Sequence, residues 1–170
     1  MIKKIVFYVF VILVLASITS FITFSRLKVA YVNTYSIYNE FKLKKELEEK
    51  LNKTQLTRKV LLDSLRIKIQ MASLDKSKAE GKEFYFRMEE MKQMYFKREK
   101  EYTEENTAQA QKYTDEVWEQ LNQYIKEYGK EKGYDYIMGA TGEGNLMYAK
   151  EQHDISKELI QYVNEKYAGK

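Results

Sequence analysis

The sequence predicts an α+β, helix-dominated protein: a small β-sheet body from which a long antiparallel α-helical hairpin protrudes, preceded by a hydrophobic N-terminal export or anchor helix. Three observations carry this reading. No proline occurs among 170 residues, where an average usage of roughly 5% would supply about eight, so the residue that most often breaks helices is missing. Two glycine-free tracts, 35–75 and 83–128, are rich in Glu, Lys, Gln, Leu and Met, all good helix formers. Short β-rich stretches lie on either side of them.

Residues 1–25 come first. Lys3 and Lys4 precede an uncharged run over 5–24, which as a helix would span about 30 Å, the thickness of a hydrocarbon core. That suits an uncleaved membrane anchor. The strictly apolar part, 5–15, is also the length of a signal-peptide core, with 16–23 as its cleavage region. Ser17/Thr19 and Thr23/Ser25, the nearest small-residue pairs, are poor matches to an A-x-A site. Anchoring is therefore the preferred reading and a cleaved signal its alternative; both place the remaining chain outside the cytoplasm.

Residues 26–34 hold the first strand, in Lys28-Val29-Ala30-Tyr31-Val32-Asn33. The hairpin occupies 35–128, with its turn near 75–82, where Gly81 stands. A short loop between helices of matched length makes them antiparallel neighbours. The inner stripe of the second helix reads Phe84, Met88, Met91, Tyr95, Tyr102, Asn106, Ala110, Tyr113, Val117, Leu121, Tyr124 and Tyr128, stepping by threes and fours with one gap at Arg98. That of the first reads Leu47, Leu51, Leu61, Leu65 and Ile69, with Thr54 and Arg58 as interruptions. Residues 129–170 complete the body: strands over 134–138 and 145–149 joined by a turn at 139–144, then a helix with Asp154 as N-cap and Ile155, Leu159, Ile160, Val163 and Tyr167 as its apolar face. Three short strands cannot close a large core alone, so Val29, Tyr31, Ile137, Leu146 and Tyr148 are the candidate oligomer interface.

Composition removes most chemistry. Without cysteine there is no disulfide, thiol nucleophile or thiolate zinc site, and a single histidine, His153, does not make a metal centre. The glycine tract 139–144 has neither the G-x-G-x-x-G order nor a Walker lysine. Adjacent carboxylates such as Glu89/Glu90 and Glu104/Glu105 diverge on a helix and read as solvated surface. No catalytic residue, cofactor or metal is expected. A net charge of +4 is too small to argue for nucleic acid, but its distribution is uneven. Residues 35–76 carry ten Lys/Arg against six Asp/Glu, and 77–128 nine against twelve.

One cluster stands out near the hairpin tip: Tyr85, Phe86, Met94 and Phe96 lie off the inner stripe. Either they contact another subunit's hairpin or simply broaden the stripe, or they form an adaptable apolar surface for clients, which Met and aromatic side chains suit. The basic residues Lys44, Lys45, Arg58, Lys59, Arg66 and Lys68 of the first helix would add electrostatic attraction.

The ends of the sequence resemble the Skp/OmpH family of periplasmic chaperones for outer-membrane proteins. The resemblance rests on Lys28-Val29-Ala30-Tyr31-Val32-Asn33 after an export segment, Glu131-Lys132-Gly133-Tyr134-Asp135-Tyr136-Ile137-Met138, Leu146-Met147-Tyr148-Ala149 and His153-Asp154-Ile155-Ser156. It implies a homotrimer whose body is a β-barrel shared by three chains, with hairpins reaching out as tentacles around a cavity. Unfolded outer-membrane proteins would be held there without ATP, in the periplasm. The family usually has a cleaved signal peptide, whereas residues 5–24, read here as an anchor, would tether the trimer to the inner membrane unless that segment is cleaved. The second tentacle helix departs from the strongly basic family pattern by leaning acidic. A membrane-tethered coiled-coil scaffold or spacer is the alternative function, although a plain spacer would not need the sheet-forming ends.

Overall fold

The computed structural model describes residues 12, 27–74, 81–142 and 144–169. Strand β1 (Val29–Asn33) leads into helices α1 (Thr34–Glu40) and α2 (Lys42–Leu74). Helix α3 (Lys82–Lys132), strand β2 (Tyr136–Ala140), a 3-10 turn (Glu151–His153) and helix α4 (Ser156–Ala168) follow. The anchor expected over 5–24 and the turn over 75–80 fall outside the described residues. Among those described, no helix is long and apolar enough to cross a membrane.

The helical pattern translates into an antiparallel hairpin. Arg58 of α2 meets Asn106 of α3, while Leu47 and Leu51 share a hollow with Tyr113 and Val117. Every residue of the expected α3 stripe is buried or half-buried. On α2 the stripe needs one correction: Leu61 is exposed and Leu62 takes its place. Thr54 and Arg58, expected as interruptions, are part of the seam, which steps 47, 51, 54, 58, 62, 65 and 69 at helical spacing.

The expected first helix is in fact two. At Phe41 the backbone is extended (φ −70°, ψ 128°), and the side chain, with no exposed surface, drops between Tyr124 and Tyr167 in edge-to-face contacts of 6.2 and 5.6 Å. Breaking a helix strands backbone polar groups. Asn164 of α4 meets them: its Oδ1 accepts from Lys42 N at 2.8 Å and its Nδ2 donates to Glu40 O at 3.1 Å. Asn33 caps α1 by accepting from Ser36 N at 2.9 Å.

Helix α3 ends where glycine permits it. Gly133 has φ +68°, and paired bonds from Gly133 N to Lys130 O (3.3 Å) and from Tyr134 N to Gly129 O (2.8 Å) close a Schellman motif. Tyr134 and Asp135 are spent on this turn, with Asp135 N donating to Lys28 O at 2.9 Å, so β2 starts two residues later than expected. It pairs with β1 in parallel, Ala30 against Ile137 and Tyr31 against Met138.

The strand expected over 145–149 does not form, nor does the hairpin turn before it, because Gly139 and Ala140 belong to β2. Asn145 explains this. Its Nδ2 donates to Gly139 O at 2.6 Å and its Oδ1 accepts from Thr141 N at 3.2 Å, taking the carbonyl that a third strand would need. The free edge of β1 is instead met at Asp154, with Ile155 N donating to Tyr31 O at 3.1 Å.

One face of this two-stranded sheet carries a core within the single chain. Ala30 and Val32 pack with Ile37, Phe41, Val117, Leu121, Leu159 and Val163, and Ile137 lies against them. Gly139 allows a close approach, since a Cβ there would lie 2.7 Å from Thr34 Cγ2, while Thr34 Oγ1 donates to Ala140 O at 3.1 Å.

Candidate functional site

The surface features that the core does not absorb are the hairpin's outer faces and the uncovered face of the sheet. At the tip, Tyr85, Phe86, Met94 and Phe96 are all exposed, Phe86 at 71%. At 100° per residue they do not share one face. Tyr85 and Phe96 lie on one flank of α3, Met94 on the other, and Phe86 opposite the seam. The cluster wraps the helix rather than forming a platform.

The basic residues of α2 divide into three kinds. Lys44 and Arg66 are held by carboxylates of their own helix, Glu48 at 2.6 Å and Asp63 at 3.0 Å. Lys45, Lys59 and Lys68 stand exposed. Arg58 lies inside the hairpin: its guanidinium donates to Glu105 and Asn106 of α3 and sits 5.2 Å from the Tyr102 ring centroid. It is a tie between the two helices rather than an open cation.

Sequence reasoning missed a second stripe on α2. Leu56, Val60, Ile67, Met71 and Leu74 are exposed, and the 3.6-residue period puts them about 180° from the seam. Their steps of 4, 7, 4 and 3 residues are visible in the sequence, but a search for one apolar face per helix assigns the better-filled stripe and stops. Asp63, ion-paired to Arg66 at 3.0 Å, lies on the same face between Val60 and Ile67, so the stripe is two apolar patches, and exposed apolar surface of this kind marks interaction sites.

On the sheet, parallel pairing sends paired residues to the same side. Val29 and Tyr31 are half-buried on the face away from the core, beside exposed Tyr136 and Met138. Ile137 is on the opposite, inner face, where its Cδ1 lies 3.4 Å from the Cβ position of Gly129. Leu146 is half-buried, and Tyr148 is 81% exposed. Desolvation, followed by the charges of Asp154 and Glu151, raises the Tyr31 hydroxyl above its ordinary pKa.

The His153 ring hydrogen-bonds with its neighbour Gln152 at 3.3 Å, and no metal-ligating cluster occurs among the described residues. Asp154, expected as the N-cap of α4, stands one residue before it because Ile155 takes that position; its role is structural all the same, its Oδ1 accepting from Ser156 N (2.8 Å) and Ser156 Oγ (2.5 Å), and that hydroxyl accepts from Asn33 N at 2.8 Å. This chain of bonds ties the start of α4 to the end of β1. At its other end α4 is held by Tyr162 and Lys166, which donate to Glu131 at 2.7 and 3.1 Å; these bonds lower the Glu131 pKa and raise that of Lys166.

Comparison with known proteins adds two findings. A family model described as outer membrane protein (OmpH-like) matches residues 28–163. Among solved structures, the chain is similar to a candidate OmpH-like outer membrane chaperone from Caulobacter crescentus CB15, with a TM-score of 0.72 and 12% sequence identity over 84% of this chain and 86% of that one. No curated protein matches the sequence.

Proposed function

The chain belongs to the OmpH-like family of outer membrane proteins, and from that premise we propose that it is an ATP-independent periplasmic holdase chaperone for unfolded outer-membrane proteins. The observation that carries this reading is the hairpin, whose shaft and tip display large apolar side chains that its own core leaves uncovered. A spacer would gain nothing from them. The chaperone description of the structurally similar Caulobacter protein supports the same reading.

Three chains form the working unit in this proposal. The uncovered sheet face, with Val29 and Tyr31, supplies the subunit contact together with Leu146 and Tyr148, and Ile137 supports it from the inner side. Closing three such faces on one another removes apolar surface from water, worth about 25 cal/mol per Å². Residues 5–24 act as the anchor, so the trimer works at the periplasmic side of the inner membrane.

The direct test dilutes a urea-unfolded outer-membrane β-barrel protein into buffer with and without this protein, no nucleotide present, and follows light scattering. Suppression at a few chains per client is the expected result. Scattering unchanged at a large excess would overturn the holdase reading.

A further inference from the structure

The α2 stripe is more than a generic sticky surface, because its length, spacing and charged margins fit one kind of occupant. From Leu56 to Leu74 it runs about 27 Å at 1.5 Å per residue. An extended chain rising about 3.4 Å per residue covers that distance in about eight residues. Every second residue of such a chain points the same way, about 6.8 Å apart. That spacing is close to the helical turn separating Leu56 from Val60 and Ile67 from Met71. Exposed Lys59 and Lys68 lie on opposite margins of the stripe, each about 90° round the helix from its centre.

We propose that this face of α2 is where a client lies, and that the segment it takes is extended, about eight residues long, apolar at alternate positions and acidic at its margins. The inference rests on the holdase reading above and adds to it the face used and the form of the bound chain. The seam side of α2 is already covered by α3, so only the opposite face is open. An acidic-margined strand complements Lys59 and Lys68, which stand exposed on the two margins. Met71, unbranched and polarizable, lets the end of the stripe adapt to side chains of different size.

The test uses the full chain, the variant Val60→Ser/Ile67→Ser/Met71→Ser and the variant Tyr85→Ser/Phe86→Ser/Phe96→Ser. All six positions are exposed, and circular dichroism with native mass checks that fold and assembly persist. The probe is a fluorescein-labelled ten-residue peptide with Leu at alternate positions and Ser or Glu between, beside a control of the same composition with its Leu residues in one block; binding is read by anisotropy. The expected result is at least tenfold tighter binding of the alternating peptide to the unmodified protein than to the α2 variant, with less than a threefold change for the tip variant. A Lys59→Glu/Lys68→Glu variant should weaken the same peptide and abolish the salt dependence of its binding. Equal binding of the two peptides, or no loss in the α2 variant, would overturn the inference; if aggregation of the barrel protein is still suppressed, the holdase reading stands without it. A changed native mass in the α2 variant would make the stripe a subunit contact and also overturn the inference. Loss of aggregation suppression in the unmodified protein would remove both.

Discussion

Replacing Phe41 with Ala should be the most damaging single change in the body. The ring has no exposed surface, so truncation removes its full burial and opens a cavity between α3 and α4, at about 3–5 kcal/mol for a buried Phe→Ala change. The two edge-to-face contacts, with Tyr124 and Tyr167, add roughly 0.5–1.5 kcal/mol each beyond area burial, which places the loss in the upper half of that range. For a chain of this size 1 kcal/mol moves Tm by about 2–4 °C, so a fall of roughly 10–15 °C is expected. The assay is urea unfolding at fixed protein concentration, because assembly makes apparent stability concentration-dependent. Two signals should move together: far-UV circular dichroism and the fluorescence of Trp118, which stacks on Tyr38 of α1 at 5.1 Å and is the single tryptophan. A loss below about 1 kcal/mol would refute the view that Phe41 holds the α1–α2 joint against the core.

Other changes probe separate parts of the structure. Gly139→Ala should cost about 1–3 kcal/mol by overpacking against Thr34 Cγ2, and adding Thr34→Ser, which removes that methyl but keeps the hydroxyl for Ala140 O, should restore most of the loss in a urea titration. Arg58→Ala should destabilise the hairpin by roughly 1–2 kcal/mol, since charged hydrogen bonds are worth about 1.5–3 kcal/mol when buried but Glu105 is largely in water. The double change Arg58→Leu/Asn106→Leu should be close to neutral, because replacing both partners of a polar tie by apolar side chains often is. The Tyr167 hydroxyl, donating to Glu46 and partly desolvated, has its pKa pushed up to about 12 from 10.0. A raised folded-state pKa favours the protonated form in the native state, so its contribution is fully present below pH 10 and is lost as pH rises through 12; Tyr167→Phe should flatten the fall in urea midpoint over that window.

The helices were legible because their signals are local and repeated: absent proline, long glycine-free tracts and a stripe that Phe84 through Tyr128 sustains over twelve positions. The joint at Phe41 was not, since no proline or glycine marks it. It exists because a distant side chain, Asn164, satisfies the interrupted backbone. The strand expected over 145–149 failed for a related reason: its β-like composition is overridden when Asn145 claims the Gly139 carbonyl. Arg58 reads as one basic residue among many until α3 brings Tyr102, Glu105 and Asn106 to it. Within the candidate surfaces, the exposure of the tip cluster was foreseen, whereas its division among three sides of α3 follows from spacing alone and was available all along.

The measurement that tests the account most directly is the native mass of the complex formed when a urea-unfolded outer-membrane barrel protein is diluted into the purified protein without ATP. The account predicts one discrete species containing three copies of this chain and one client, stable until the client is offered detergent micelles in which to fold. A free chain beside aggregated client, with no complex at any ratio, would contradict it.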